Sequence, residues 1–471
     1  MSRQYNLIIG GQAIAGARGH FDVLNPATEQ VVAQCPQASM DQLDQAVEAA
    51  QAAFEQWKLS SHAERQRVIA AIADRLEERA GELADIIVQE QGKPRFLAEA
   101  EVGGAVAWTR ATAELELPVE VLEDSYAKRI EMHRKPLGVV GSITPWNWPL
   151  MIAVWHIIPA LRAGNAVVCK PSGLTPLNTL MLGEIINEVA PPGLVNVICA
   201  ESRIGAAMSE HPGINKIVFT GSTPTGQSIM SAAAGNLKRL TLELGGNDAA
   251  IVLPDADIDA SAMAIFQTAF LNMGQTCAAL KRLYVHDSQY DALCQKLADI
   301  AREQTLGNGA DAGVTFGPVQ NRAQLELVTE LVEDARKQGA QVLSGGSPLD
   351  GPGYFYPPTI VRDIEDGTRL VDEEQFGPVL PVIRYQDVED AVRRANANSN
   401  GLGGSVWSTD IEQAQRIAAR LECGSVWINN HADIVPHAPF GGCKMSGFGT
   451  EFGQEGLLEY TYPQVIHINK E

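Results

Sequence analysis

From Gly138 onward the chain repeats one pattern: a short β-rich run, a loop of Gly, Pro and Ser, then a helical stretch. The runs fall at 139–143, 166–169, 216–219 and 249–253, and the alternation returns with strand-like runs at 283–286, 404–407 and 425–428 and helical ones at 323–337 and 411–421. Strands that alternate with helices pair in parallel through crossovers, so the expected class is α/β, and the recurrence predicts two such lobes. A length of 471 residues allows about three domains, each able to bury its own core without disulfides or metals.

Ahead of this pattern stand a Gly-punctuated β start and helices. Ser39 precedes a face of Leu43, Val47, Ala50, Phe54 and Trp57. Ser61 and Glu64 have capping-box spacing, and the periodicity of Ile69, Ile72, Leu76, Ala80, Leu83 and Ile87 predicts one helix that stops at Gly92 and Pro94. Residues 117–135 and 460–468 read as exposed extended pieces suited to pairing with another subunit.

Charge and cysteine usage exclude several functions. With 36 Lys and Arg against 57 Asp and Glu, the net charge of −21 repels phosphate backbones, so no nucleic-acid partner is expected. The 7 cysteines are odd in number and scattered, which fits reduced thiols in a cytoplasmic protein better than a secreted disulfide framework. The N-terminal apolar run is too short for a secretory signal. Residues 137–161 lack Asp, Glu, Lys and Arg, yet Pro145, Asn147, Pro149, His156 and Pro159 argue against a membrane span.

Among the thiols, Cys277 stands out because it lies in a Gly-containing loop between a helical run and a strand, whereas Cys169 sits in a strand and Cys294 in a helix. Glu243, apolar on its N-terminal side and followed by Gly245 and Gly246, is a candidate general base or a paired core carboxylate. Asn147, between two tryptophans, is a candidate oxyanion donor or a turn residue. The run from Phe219 to Gly226 leaves a strand and enters a helix at Pro224, where backbone amides suit a pyrophosphate, and Lys170 adds a cation near that sheet edge.

Taken in order, Pro145-Trp146-Asn147, Lys170-Pro171-Ser172, Phe219-Thr220-Gly221-Ser222, Leu242-Glu243-Leu244-Gly245-Gly246, Gly274-Gln275-Thr276-Cys277, Glu374-Gln375-Phe376-Gly377-Pro378 and Pro439-Phe440-Gly441-Gly442 make the chain resemble the NAD(P)-dependent aldehyde dehydrogenases over nearly its full length. The resemblance implies a Rossmann-like nucleotide-binding domain (1–117 and 138–244), an α/β catalytic domain (245–457) and a β oligomerisation arm (118–137 and 458–471) of a homodimer or homotetramer. It further implies Cys277 as nucleophile, Glu243 as base and Asn147 with the Cys277 amide as oxyanion hole. NAD or NADP would be held by Ile143, Thr144, Trp146, Lys170, Ser172, Gly221, Ser222, Gly226, Leu244, Glu374 and Phe376. NAD is favoured, but Gly173 stands where NAD-preferring members often carry a glutamate, which leaves NADP open. Trp148, Trp155, Leu271, Thr276, Ile434 and Phe440 would line the aldehyde tunnel, favouring an apolar aliphatic or aromatic aldehyde. His156, where several members have lysine, puts a proton relay to Glu451 in doubt. The loop of His431, Asp433 and His437 lacks a clear fourth ligand, so no metal is expected. A CoA-acylating enzyme, a non-catalytic scaffold and a cofactor-free thiol hydrolase are the alternatives; Glu243 counts against the first and the intact motif set against the second, while the third leaves the glycine loop and Lys170 unexplained.

Overall fold

The computed structural model describes residues 3–200 and 202–471; Met1 and Ser2, which open the N-terminal run, lie outside them. The chain enters through a tight hairpin, Leu7–Ile9 against Gln12–Ile14. Its two turn residues, Gly10 and Gly11, have φ of 62° and 78°, the left-handed pair that a two-residue hairpin needs.

Helices α1 (Met40–Trp57), α2 (His62–Glu78), α3 (Ala80–Glu90) and α4 (Arg95–Glu114) follow. The single helix expected through Ile87 is two: at Arg79 the backbone leaves helical geometry (φ −105°, ψ 17°) and α3 restarts at once, so the apolar repeat continues across the break. The reciprocal capping box also sits elsewhere than expected. Ser39 and Gln42 cap each other's backbone at the start of α1, while Ser61 accepts from Glu64 N at α2.

The strand–helix alternation folds into two sheets. The first runs Gln12–Ile14, Leu7–Ile9, Val195–Val197, Ala166–Lys170, Val139–Ile143, Lys216–Thr220, Arg239–Glu243 and Gly447–Phe448. Its five inner strands are parallel. The strands Val139–Ile143, Ala166–Lys170 and Lys216–Thr220 are buried at every position, as a sheet covered on both faces requires. Strand order reverses between Val139–Ile143 and Lys216–Thr220, which opens a crevice at their carboxyl ends.

The second sheet runs Gln341–Ser344, Thr359–Ile364, Val379–Tyr385, Leu280–His286, Asp248–Val252, Gly403–Trp407 and Ser425–Ile428, parallel except at its first strand. Residues 244–247 join the sheets, and Gly447–Phe448 returns to pair antiparallel with Arg239–Glu243. A third, antiparallel sheet pairs Thr461–Asn469 with Lys128–Pro136 and the latter with Glu120–Asp124, so the two extended pieces meet each other.

The uncharged stretch resolves into the strand Val139–Ile143, a loop, and helix α5 (Pro149–Ala163), which has Pro149 in its first turn and ends at Gly164 (φ 98°). No helix among the described residues is long and apolar enough to cross a membrane.

Candidate active site

The loop before Cys277 is strained. Asn272, Met273 and Gly274 take φ of 52°, 55° and 70°, two of them left-handed without being glycine. Four tethers hold that shape: Lys281 Nζ donates to the Gly274 and Gly377 carbonyls, Asn272 Nδ2 to Asn147 O at 2.8 Å, Asn147 Nδ2 to Gln275 O at 2.9 Å, and Gln320 N to Gln275 Oε1 at 2.8 Å. Gly246 lies against the Cys277 backbone; a Cβ there would collide with the Cys277 carbonyl. Burial, then the carboxylates of Glu243, Glu374 and Asp248, push the Cys277 thiol up, whereas burial pulls Lys281 down to about 7.

Glu243 ends the strand Arg239–Glu243 and is 3 % exposed. Neither carboxyl oxygen has a hydrogen-bond partner among the described residues. Burial, followed by the carboxylate of Glu451, raises its pKa well above the ordinary value; the Gly442 amide acts in the opposite sense without completing a hydrogen bond. Glu451, held by an antiparallel bridge to Phe440, is buried too. His156 Nε2 approaches Glu451 Oε1 at 3.4 Å, while the ring nitrogens meet Ser142 Oγ and Thr220 Oγ1, each at 3.0 Å.

Cys277 and Asn147 share one cleft, about 270 Å³, with Trp146, Gly221, Ser222, Leu244, Glu374 and Phe376. Glu374 Oε1 accepts from Gly246 N at 3.1 Å. Although half-buried by area, its carboxyl is desolvated and pushed up to about 8. Phe376 (φ 45°) meets Trp146 edge-on at 5.3 Å. A second cleft, about 420 Å³, is lined by Ile143, Lys170, Gly205, Pro224, Thr225 and Ile229. Burial lowers the Lys170 pKa.

Between the clefts stands the N-terminus of the helix Thr223–Ala233. No side chain caps it, since Ser222 Oγ bonds Thr225 Oγ1 instead. Its amides therefore remain available to an anion. Gly226 packs against Leu244, whose Cδ2 would be 2.5 Å from a Cβ there. Two clefts flanking a helix N-terminus at the strand-order reversal fit the two halves of a dinucleotide. Thr144 is buried beside this crevice, its N–H on Lys170 O at 3.2 Å. Ser172 lines neither cleft and instead accepts from Leu174 N in the turn after Lys170.

The expected tunnel residues divide into two connected groups. Trp148 Nε1 donates to Thr276 Oγ1 at 3.0 Å, and that hydroxyl to Leu271 O at 3.3 Å. Trp155 stacks edge-on with Phe452 at 4.7 Å, Phe452 stacks with Phe440 at 6.0 Å, and Phe440 packs with Cys277 and Ile434. Trp108 and Phe452, which sequence reading missed, complete this aromatic wall. Trp108 lies on a helix remote in sequence from every other motif, so no local signal marks it. His431 is buried, 2.9 Å from Ser405 Oγ and 3.4 Å from Asp248 Oδ2. Among the described residues no group of three or more His, Cys, Asp or Glu is placed to hold a metal ion.

A doubly wound parallel sheet with a dinucleotide-shaped crevice opens beside a loop-borne thiol, an architecture suited to an oxidoreductase. The model of the aldehyde dehydrogenase family matches residues 14–466. Mouse retinaldehyde dehydrogenase 3 is 38% identical over 463 residues, 96% of this chain and 90% of that protein. The NAD+ complex of an aldehyde dehydrogenase from Bacillus cereus superposes with TM-score 0.97 at 35% identity, covering 100% of this chain and 97% of that one. Betaine aldehyde dehydrogenase from Staphylococcus aureus, also with NAD+, gives TM-score 0.96 at 34% identity over 99% of this chain and 95% of that one. The chain belongs to the aldehyde dehydrogenase family and is an NAD(P)-dependent enzyme of that class, oxidising aldehydes to acids.

Proposed function

We propose that the enzyme oxidises an apolar aliphatic or aromatic aldehyde through a thioester on Cys277 that water, activated by Glu243, hydrolyses to the acid. The observation that carries this reading is a buried carboxyl, Glu243, whose two oxygens have no hydrogen-bond partner among the described residues and whose charge acts on the loop-borne thiol of Cys277. The Cys277 sulfur, as the thiolate left when its proton passes to water, attacks the carbonyl carbon, and Asn147 Nδ2 with the Cys277 N–H receives the developing oxyanion. One Nδ2 hydrogen is committed to Gln275 O, which leaves the second for that oxygen. A bound nicotinamide supplies the two-electron acceptor for the aldehydic hydrogen. Glu243, kept largely protonated by its surroundings, loses that proton at higher pH and then takes one from the water that attacks the thioester.

Cofactor contacts are assigned to Glu374 and Phe376 at the nicotinamide side, to Gly221, Ser222 and the helix amides at the pyrophosphate, and to Lys170 in the second cleft. Ile143, Thr144, Trp146, Gly226 and Leu244 shape the crevice, whereas Ser172, which lines neither cleft, shapes the turn that follows Lys170. NAD complexes of the two structural relatives favour NAD. Residue 173 is glycine and so sets no carboxylate against a 2′-phosphate, although a side chain would fit there, its Cβ meeting nothing closer than the Phe21 ring at 3.7 Å. Residues 1–117 with 138–244 are assigned to the nucleotide, 245–457 to catalysis, and 118–137 with 458–471 to assembly as a homodimer or homotetramer. Exposed Val121, Leu122, Val465 and Ile468 on the third sheet support that last assignment. The described cysteines are all free, in keeping with a reducing cytoplasm.

The mouse relative is named for retinaldehyde and the Staphylococcus aureus one for betaine aldehyde, so the scaffold alone does not choose a substrate. Phe440, Phe452 and Ile434, which cluster with Cys277, and Trp155 behind Phe452 favour the apolar choice here. The test is near-ultraviolet absorbance of reduced cofactor with NAD and NADP against polar, aliphatic and aromatic aldehydes, with and without CoA. Turnover without CoA, fastest on apolar aldehydes, is expected; a strict need for CoA would shift the reading to an acyl-CoA-forming enzyme.

A further inference from the structure

We propose that Lys93 is a positioning residue for Asn147, acting with Glu101 as a buried ionic strut that fixes where the oxyanion donor points. The inference rests on the reading of Asn147 as that donor.

Lys93 lies between α3 and α4 after a turn at Gly92 (φ 90°), and its side chain is wholly inaccessible. Its ammonium reaches three groups: Glu101 Oε2 at 2.6 Å, Asn147 O at 3.0 Å, and the Trp148 ring, 3.8 Å from its centroid. Glu101 completes the strut. Its other oxygen, Oε1, accepts from Leu150 N at 3.0 Å and Met151 N at 3.2 Å, the first-turn amides of α5. Helix α5 has Trp148 as its N-cap and makes no side-chain cap of its own, so Glu101 caps it from a different helix and sets a negative charge at the positive end of its dipole.

Beyond the bond between them, the side-chain hydrogen bonds of this pair therefore land on residues 147–151. The loop is gripped from the other side by Asn272 Nδ2 on the same Asn147 carbonyl and by Gln275 O on the Asn147 amide. Packing alone does not account for such a pair, because apolar side chains of similar volume generally stabilise a core as well as a buried ion pair does. What the charges add is direction. They hold the Asn147 backbone so that its side chain, already tied to Gln275 O, keeps one N–H aimed over Cys277. An oxyanion donor displaced by about 1 Å loses much of its effect, since misplacement on that scale can cost on the order of 10²-fold in rate.

The test is a cycle with four proteins: the full chain, Lys93→Met/Glu101→Gln, Asn147→Ala, and the combination. In the neutral pair the amide that replaces the Glu101 carboxylate still offers an oxygen to the first-turn N–H groups of α5. Single-turnover cofactor reduction, aldehyde KM, cofactor dissociation constant and melting temperature are measured for each. The expected result is a roughly 10- to 100-fold slower reduction in the neutral pair, with cofactor affinity held within about 3-fold. In the Asn147→Ala background the same change has little further effect, because both act on one donor. Unchanged reduction, or losses that multiply independently, overturns the proposal. Should the neutral pair fail to fold, Lys93→Gln/Glu101→Gln keeps an amide hydrogen bond inside the strut while withdrawing from Asn147 O, and carries the same expectations. A wild-type chain that reduces no cofactor with any aldehyde overturns the parent reading, and this one with it; an active wild type with additive variants overturns this one alone.

Discussion

Glu101 and Glu243 are both carboxylates shut away from solvent, at 0 % and 3 % exposure, and they stand on opposite footings. Glu101 has an ammonium at 2.6 Å and two helix amides, so its charge is fully answered. Glu243 has no hydrogen-bond partner among the described residues, and the charge that acts on it most, Glu451, is of like sign. A buried carboxylate with complete partners serves as structure, because any proton it takes up breaks its contacts. One left without them holds its proton more tightly than a carboxyl in water does, which makes its conjugate base a stronger proton acceptor. The difference locates chemistry in the core more sharply than burial does.

The comparison is most exposed at Glu243. Glu243→Gln is expected to slow steady-state turnover by roughly 10²- to 10⁴-fold through deacylation. Because burial and Glu451 raise the Glu243 pKa, wild-type deacylation rises with pH until that raised value is passed, and the variant loses this limb. The stability sign follows from the same shift. Between the ordinary carboxyl pKa and the raised one, the folded state binds more protons than the unfolded, so stability falls as pH rises through that window, and Glu243→Gln flattens the fall in pH-dependent melting curves.

Glu101→Ala should do the opposite kind of damage. It leaves Lys93 buried without its counter-ion, at a cost of about 3–5 kcal/mol in unfolding free energy by denaturant titration. A stable Glu101→Ala protein beside an unfolded Glu243→Gln one would break the contrast. Asn147→Ala is next, lowering single-turnover cofactor reduction by about 10²- to 10³-fold with the fold intact. The smallest effect belongs to a cap remote from both carboxylates: Ser39→Ala, which removes the α1 capping box, should cost about 1 kcal/mol and leave kcat alone.

Legibility in the sequence followed the range of the interactions. The strand–helix alternation predicted both parallel sheets, since that pattern is local and strands buried on both faces are apolar throughout. Cys277 and Asn147, placed by motif, do line one cleft. The break at Arg79 was not legible because the apolar repeat runs on through it, and the capping box fell at Ser39 because Gln42 reaches back to the Ser39 amide. Lys93, between the expected stop residues Gly92 and Pro94, carried no reading of its own in the sequence. Its three partners lie at 101, 147 and 148, contacts that tertiary packing alone creates. Phe452 and Trp108 were missed for the same reason, whereas the unpartnered state of Glu243 is a property of the whole fold.

The most direct test of the division of labour between Cys277 and Glu243 is a rapid-mixing burst of cofactor reduction by Glu243→Gln, with intact-mass and peptide-mass measurement of the same sample after acid quench. The account predicts about one equivalent of reduced cofactor per active chain, then near-silence, and a mass increase equal to the acyl group on the peptide that carries Cys277. Unchanged steady-state turnover with no acyl adduct on Cys277 would contradict it.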